Sequence, residues 1–105
     1  MNNAEAHGNA NWESAFAKRG EIVAREIAGE TILVPIRGKL VDLQRIFTVN
    51  AVAAHIWQRL DGKRTLAAIR DSVLETFEVE RERAEADIQE FVAELVEAGL
   101  IQEVC

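Results

Sequence analysis

The apolar residues of this chain change period once, and the change falls at Asn50. Upstream of it, Ile22-Val-Ala-Arg-Glu-Ile27 alternates imperfectly and Ala28-Gly29-Glu30 is a turn. Thr31-Ile-Leu-Val-Pro-Ile36 then sets Ile32, Val34 and Ile36 on one side, which together predicts a hairpin. Pro35 has no N–H to offer a ladder, so the second strand ends there or turns that side to solvent. Arg37-Gly38-Lys39 turns the chain and Leu40-Val-Asp-Leu-Gln44 is a link. Arg45-Ile-Phe-Thr-Val49 reads as a third strand, because four of its five residues are β-branched or aromatic.

Downstream, the spacing becomes helical. Asn50 is a good N-cap, and Ala53, Ile56, Trp57 and Leu60 share one face, with Asp61-Gly62 as a left-handed stop. Thr65 caps a second helix whose stripe is Leu66, Ile69, Val73 and Phe77. After Glu78-Val79-Glu80, a third helix runs from about Arg81 to Ala98 and stops at Gly99, where Leu100 and Ile101 fold back as a hydrophobic cap. Strands followed by helices predict an α+β domain, a three-stranded antiparallel sheet with three helices against one face.

The third helix carries more apolar surface than one contact needs. Ala84, Ile88, Phe91, Leu95 and Ala98 form a stripe, and Val92 and Val96 widen it to roughly 160°, where a helix on one layer needs nearer about 100°. Either the two valines cover Leu100, Ile101 or the N-terminal aromatics, or one shoulder lines a shallow groove for an apolar side chain of a partner. The strand Arg45–Val49 offers the complement: an edge strand with unpaired amides is a template for an added peptide strand, and alternate side chains of that peptide enter pockets.

Composition narrows the choice. A chain of 105 residues, 49% of them apolar, makes one domain. Residues 1–20, rich in Asn, Ala and Gly, are expected to be a tail, and residues 21–105 the domain. Within that tail, a helical turn from Asn11 to Lys18 would present Trp12 and Phe16 to the domain or to a second copy. The net charge of −6 sits in the helical half, which repels a phosphate backbone and argues against nucleic acid. Cys105 is the single cysteine, so neither a disulfide framework nor a thiolate metal cluster is expected. No run of about eighteen apolar residues and no secretory signal is present, so a cytoplasmic protein without a membrane span is expected.

Catalytic chemistry finds little to stand on. There is no Gly-rich phosphate loop and no Ser/His/Asp or Cys/His set; His7 lies in the tail, and His55 is expected on a solvated face opposite Ile56, Trp57 and Leu60. Glu85, Glu90, Glu94 and Glu97 form an ordinary wet helix face. The chain is read as non-enzymatic, with no metal or cofactor of its own.

Ile46-Phe-Thr-Val-Asn50, Ala54-His-Ile-Trp57, Leu60-Asp-Gly-Lys-Arg-Thr65, Ile69, Phe77, Ala86-Asp-Ile88, Phe91-Val-Ala-Glu-Leu95 and Gly99-Leu-Ile101 occur in the order seen in the PqqD-like family. Over about residues 21–101 the chain resembles these small proteins of pyrroloquinoline quinone (PQQ) biosynthesis and of other ribosomally made, later modified peptides. The resemblance implies a winged-helix-turn-helix-like fold and no catalysis. It also implies capture of a precursor's leader peptide for delivery to a modifying enzyme, often a radical S-adenosylmethionine (radical SAM) protein. By position, the peptide-binding residues would be Arg45, Ile46, Phe47, Thr48 and Val49 on the strand, with Ala84, Asp87, Ile88, Phe91 and Leu95 on the helix. Asp87 has an alternative role as the i−4 partner of Arg83. Val49 before the Asn and the insertion Arg37–Gln44 depart from the family's pattern and favour a peptide system other than the quinone's. Two rival readings are a winged-helix DNA-binding module, and a structural homodimer joined by edge strands or by Trp12 and Phe16.

Overall fold

The computed structural model describes residues 12–37, 40–41 and 46–104. His7, Asn11, Arg45 and Cys105 lie outside the described residues. The expected hairpin is present as β2 (Glu21–Ile27) and β3 (Glu30–Arg37), preceded by a strand β1 (Ala15–Lys18). Antiparallel pairing from Glu21 with Ile36 to Ile27 with Glu30 closes on Ala28 and Gly29, both at positive φ, the turn geometry that matches strand twist. The other side of β3 holds two short strands. β4 (Leu40–Val41) pairs with Ile36 and Arg37, and β5 (Phe47–Val49) pairs with Thr31, Ile32 and Leu33. Pro35 falls between these two pairings, where an absent N–H costs nothing on that side, so the strand continues past it.

Of the two sides of β3, the more buried is not the one that carries the aliphatic row. Leu33 and Pro35 are buried, whereas Ile32, Val34 and Ile36 are half-buried. All three were apolar, so alternation alone did not say which side the helices would cover.

The helices lie where their caps put them. In α1 (Ala51–Gln58), Asn50 Oδ1 accepts from the Ala53 amide at 2.8 Å. In α2 (Leu66–Thr76), Thr65 Oγ1 accepts from Ala68 at 3.1 Å. α3 (Arg81–Glu97) ends with Gly99 at φ +79, the Gly99 amide on Val96 O and the Leu100 amide on Leu95 O, a Schellman closure that buries Leu100 and Ile101.

Asp61-Gly62 is not a helix stop. α1 is capped at Arg59, and Asp61 opens a further strand, β6 (Asp61–Thr65), with its Oδ1 accepting from the amides of Lys63 and Arg64 at 2.9 and 3.0 Å. Those two backbone bonds hold its carboxyl below the usual carboxylate range.

The largest correction is at the N-terminus. Within the span expected to be a helical turn, Ala15–Lys18 is β1, the central strand of a second antiparallel sheet, β6-β1-β7, with β7 (Ile101–Val104) on its far side. This strand belongs to the folded body although it falls within the expected tail. Its approach continues into α2: Ser14 O accepts from the Leu66 amide at 2.9 Å and Trp12 O from Ala67 at 2.8 Å. With Thr65 serving Ala68, three first-turn amides that a helix leaves orphaned are thereby satisfied. Phe16 is buried, and the half-buried Trp12 takes the Arg70 guanidinium over its ring at 5.2 Å. Both rings are therefore used inside the chain.

The α+β class and the three helices stand as expected, with one core filled by Leu33, Val49, Ile56, Trp57, Leu60, Leu66, Ile69, Val73, Ile88, Phe91 and Leu95.

Candidate functional site

The candidate site lies where β5 enters α1 and faces α3. Among the described residues β5 has one strand partner, β3, so one of its two edges carries backbone groups that no strand takes up. That edge borders a shallow hollow of about 230 Å³ lined by Phe47, Thr48, Val49 and Asn50, by Val52, Ala53 and Ile56 of α1, and by Arg83, Asp87, Glu90, Phe91 and Glu94 of α3.

Local structure explains the placement. Period-two alternation turns Val49 into the core, leaves Phe47 half-buried and exposes Thr48. The cap at Asn50 bends the chain directly into α1, bringing Val52, Ala53 and Ile56 beneath the strand's open side. On α3, residues 83, 87, 90, 91 and 94 recur at helical spacing on the flank beside β5. The floor is apolar, with Val49, Ile56 and Phe91 all buried, and the α3 rim is acidic.

The structure brings together part of the expected residue set. Phe47, Thr48, Val49, Asp87 and Phe91 line the hollow, and Ile46, 41% exposed, stands at the entry to the strand. Arg45 lies outside the described residues. Ala84, Ile88 and Leu95 are buried in the core and do not line the hollow, because the stripe's centre is packed against the rest of the domain and only its flank is open. Asp87 combines both roles weighed for it: it lines the hollow, and Arg83 Nε donates to its Oδ1 at 3.2 Å. Asn50, Val52, Ala53, Arg83, Glu90 and Glu94 were not anticipated; the 83-87-90-94 row on α3 was the signal that would have found the last three. Of the two valines that widen the stripe, Val92 is buried and Val96 is 45% exposed, and neither lines the hollow.

His55 is not on a solvated face. It is half-buried between α1 and α2, its Nε2 within 2.8 Å of Ser72 Oγ and its ring edge-on to Phe77 at 5.3 Å. Burial, assisted by the Arg59 guanidinium, holds the imidazole below its ordinary range. It borders a different hollow, of about 400 Å³, between α1 and the hairpin. Among the described residues no three His, Cys, Asp or Glu side chains converge as a metal site, and no helix is long and apolar enough to cross a membrane.

What this geometry can do is accept an extended chain: backbone groups at one wall, an apolar floor, a helix at the other wall. Comparison with known families meets the same region. The family model for coenzyme PQQ synthesis protein D (PqqD) matches residues 30–101, a span that contains β5, α1 and all of α3. The chain belongs to the PqqD family. Among solved structures, lasso peptide synthetase B1 complexed with the leader peptide is 30% identical at a TM-score of 0.65, over 83% of this chain and 96% of that one. TbiB1 in complex with the TbiA(beta) leader peptide is 22% identical at a TM-score of 0.64, over 82% of this chain and 94% of that one, a likeness of fold. No curated protein matches the chain.

Proposed function

We propose that this PqqD-family protein is a recognition element for the leader segment of a ribosomally made precursor peptide. It pairs the leader as an added strand on the open edge of β5, against α3, and presents it to a modifying enzyme. The observation that carries this reading is the open edge of β5 beside a groove with an apolar floor. Strand addition draws affinity from main-chain bonds and specificity from alternate side chains, and this groove supplies both kinds of contact. Leader complexes of two structurally similar proteins support it.

The chemistry of modification belongs to the partner enzyme, and a radical SAM protein is the partner class that family membership favours. No catalytic step is assigned to this chain. A recognition helix for duplex DNA would turn Lys or Arg outward, whereas α3 presents Asp87, Glu90 and Glu94 with Arg83 already bound to Asp87, which disfavours the DNA-binding rival.

The test is titration of the labelled protein with synthetic leader peptides encoded beside its gene, following the amide resonances of Ile46, Phe47, Thr48 and Val49. Saturable shifts centred on those four residues are expected. If peptides bind elsewhere, or none binds, strand capture at β5 is wrong.

A further inference from the structure

The α3 wall of the groove is divided electrostatically. At one end Asp87 is occupied by Arg83, at 3.2 Å. At the other, Glu90 and Glu94 are exposed and make no ion pair among the described residues. Beneath them lie Phe91 and Ile56, both buried yet bordering the hollow. Glu90 and Glu94 sit four residues apart, about 6 Å along the helix axis, close to the roughly 6.7 Å between same-side residues i and i+2 of an extended strand. A strand lying along α3 would therefore advance two residues over about the distance that separates the two carboxylate-bearing positions.

Resting on the reading of this groove as a leader site, we propose that it selects peptides by a short pattern. An apolar side chain seats over Phe91 and Ile56, and a Lys or Arg two residues along meets Glu90 or Glu94. The apolar residue supplies burial, and the cation meets carboxylates that nothing else in the described structure neutralises. A peptide with Asp or Glu at the same place brings like charge against both, so the wall rejects acidic leaders as well as favouring basic ones.

The experiment uses the full chain and a displayed library of random peptides, followed by synthesis of the enriched sequences with Lys, Gln or Glu at the basic position. Enrichment of the apolar-x-basic pattern is expected. Replacing Lys by Gln should weaken binding about threefold, the scale of a surface ion pair, and replacing it by Glu should weaken it further. Added salt should reduce the affinity of the Lys peptide and leave that of the Gln peptide nearly unchanged. In the Glu90→Gln/Glu94→Gln double variant, Lys and Gln peptides should bind alike. If enriched peptides shift residues 46–49 but Lys, Gln and Glu versions bind equally at low salt, the charge selection is wrong and strand capture stands. If no peptide shifts residues 46–49, both fall together.

Discussion

The two sheets of this small domain use the same kind of bond for opposite ends. In β6-β1-β7 the central strand is paired on both sides, its residues leading into it hydrogen-bond the first turn of α2, and Phe16 is buried beneath. In the hairpin sheet β5 is paired, among the described residues, on one side alone, Thr48 is exposed and Ile46 is 41% exposed. Backbone capacity satisfied within the chain becomes stability, and capacity left over beside an apolar floor becomes a place for another chain. Substitutions in the first sheet should register in unfolding; those at the open edge should register in peptide binding.

The sharpest contrast is Phe16→Ala, which removes a buried ring from the closed sheet and should cost about 3–5 kcal/mol in denaturant unfolding. A loss below about 1 kcal/mol would mean that β1 is an ornament on a domain held elsewhere.

Two glycines refine the same point. Gly62 and Gly99 have nearly equal φ, +80 and +79, but a Cβ at Gly62 would lie 3.1 Å from the Ala17 side chain, while at Gly99 nothing lies within 4 Å. Gly99→Ala should therefore cost about 1–2 kcal/mol of backbone strain, and Gly62→Ala that strain plus the displacement of β1. Equal melting temperatures for the two variants would show that β1 yields without resistance.

Asn50→Ala removes the cap that turns β5 into α1 and should cost about 1 kcal/mol by chemical denaturation. Because Asn50 also borders the groove, peptide affinity should fall with it. Ile46→Ser is the counterpart of Phe16→Ala. Stability should move by no more than about 0.5 kcal/mol, while peptide affinity should fall roughly threefold by calorimetric titration.

The smallest expected effect is a pH dependence from His55. Its folded pKa lies below the ordinary 6.5, so the unfolded chain takes up the proton first as pH falls. Stability should be full above about 6.5, decline as pH drops below it, and level off once the folded imidazole is protonated too. A His55→Gln variant should lack that slope in unfolding experiments across the same window.

Much of the fold was legible in sequence order. Asn50, Thr65 and Gly99 mark their helix boundaries because a cap is an interaction among residues a few positions apart, and the Ala28-Gly29 turn is equally local. The candidate site was half legible. Phe47, Val49, Asp87 and Phe91 emerged from the strand pattern, the helical stripe and the family resemblance, whereas Ala84, Ile88 and Leu95 were placed in the groove and belong to the core. A periodic stripe locates a helix's apolar side but not the angle at which its neighbours cover it.

By itself, then, the sequence determined the helices, the hairpin and their caps, since period and capping act within one or two turns of chain. Only tertiary structure decided that Asp61–Thr65, with no apolar alternation of its own, is a strand, because Ala15 and Ala17 pair with it from far away in sequence. The open flank of α3 was decided in the same way: exposure at Glu90 and Glu94 and burial at Ile88 depend on where β5 and α1 come to rest, a matter of packing between elements rather than within them.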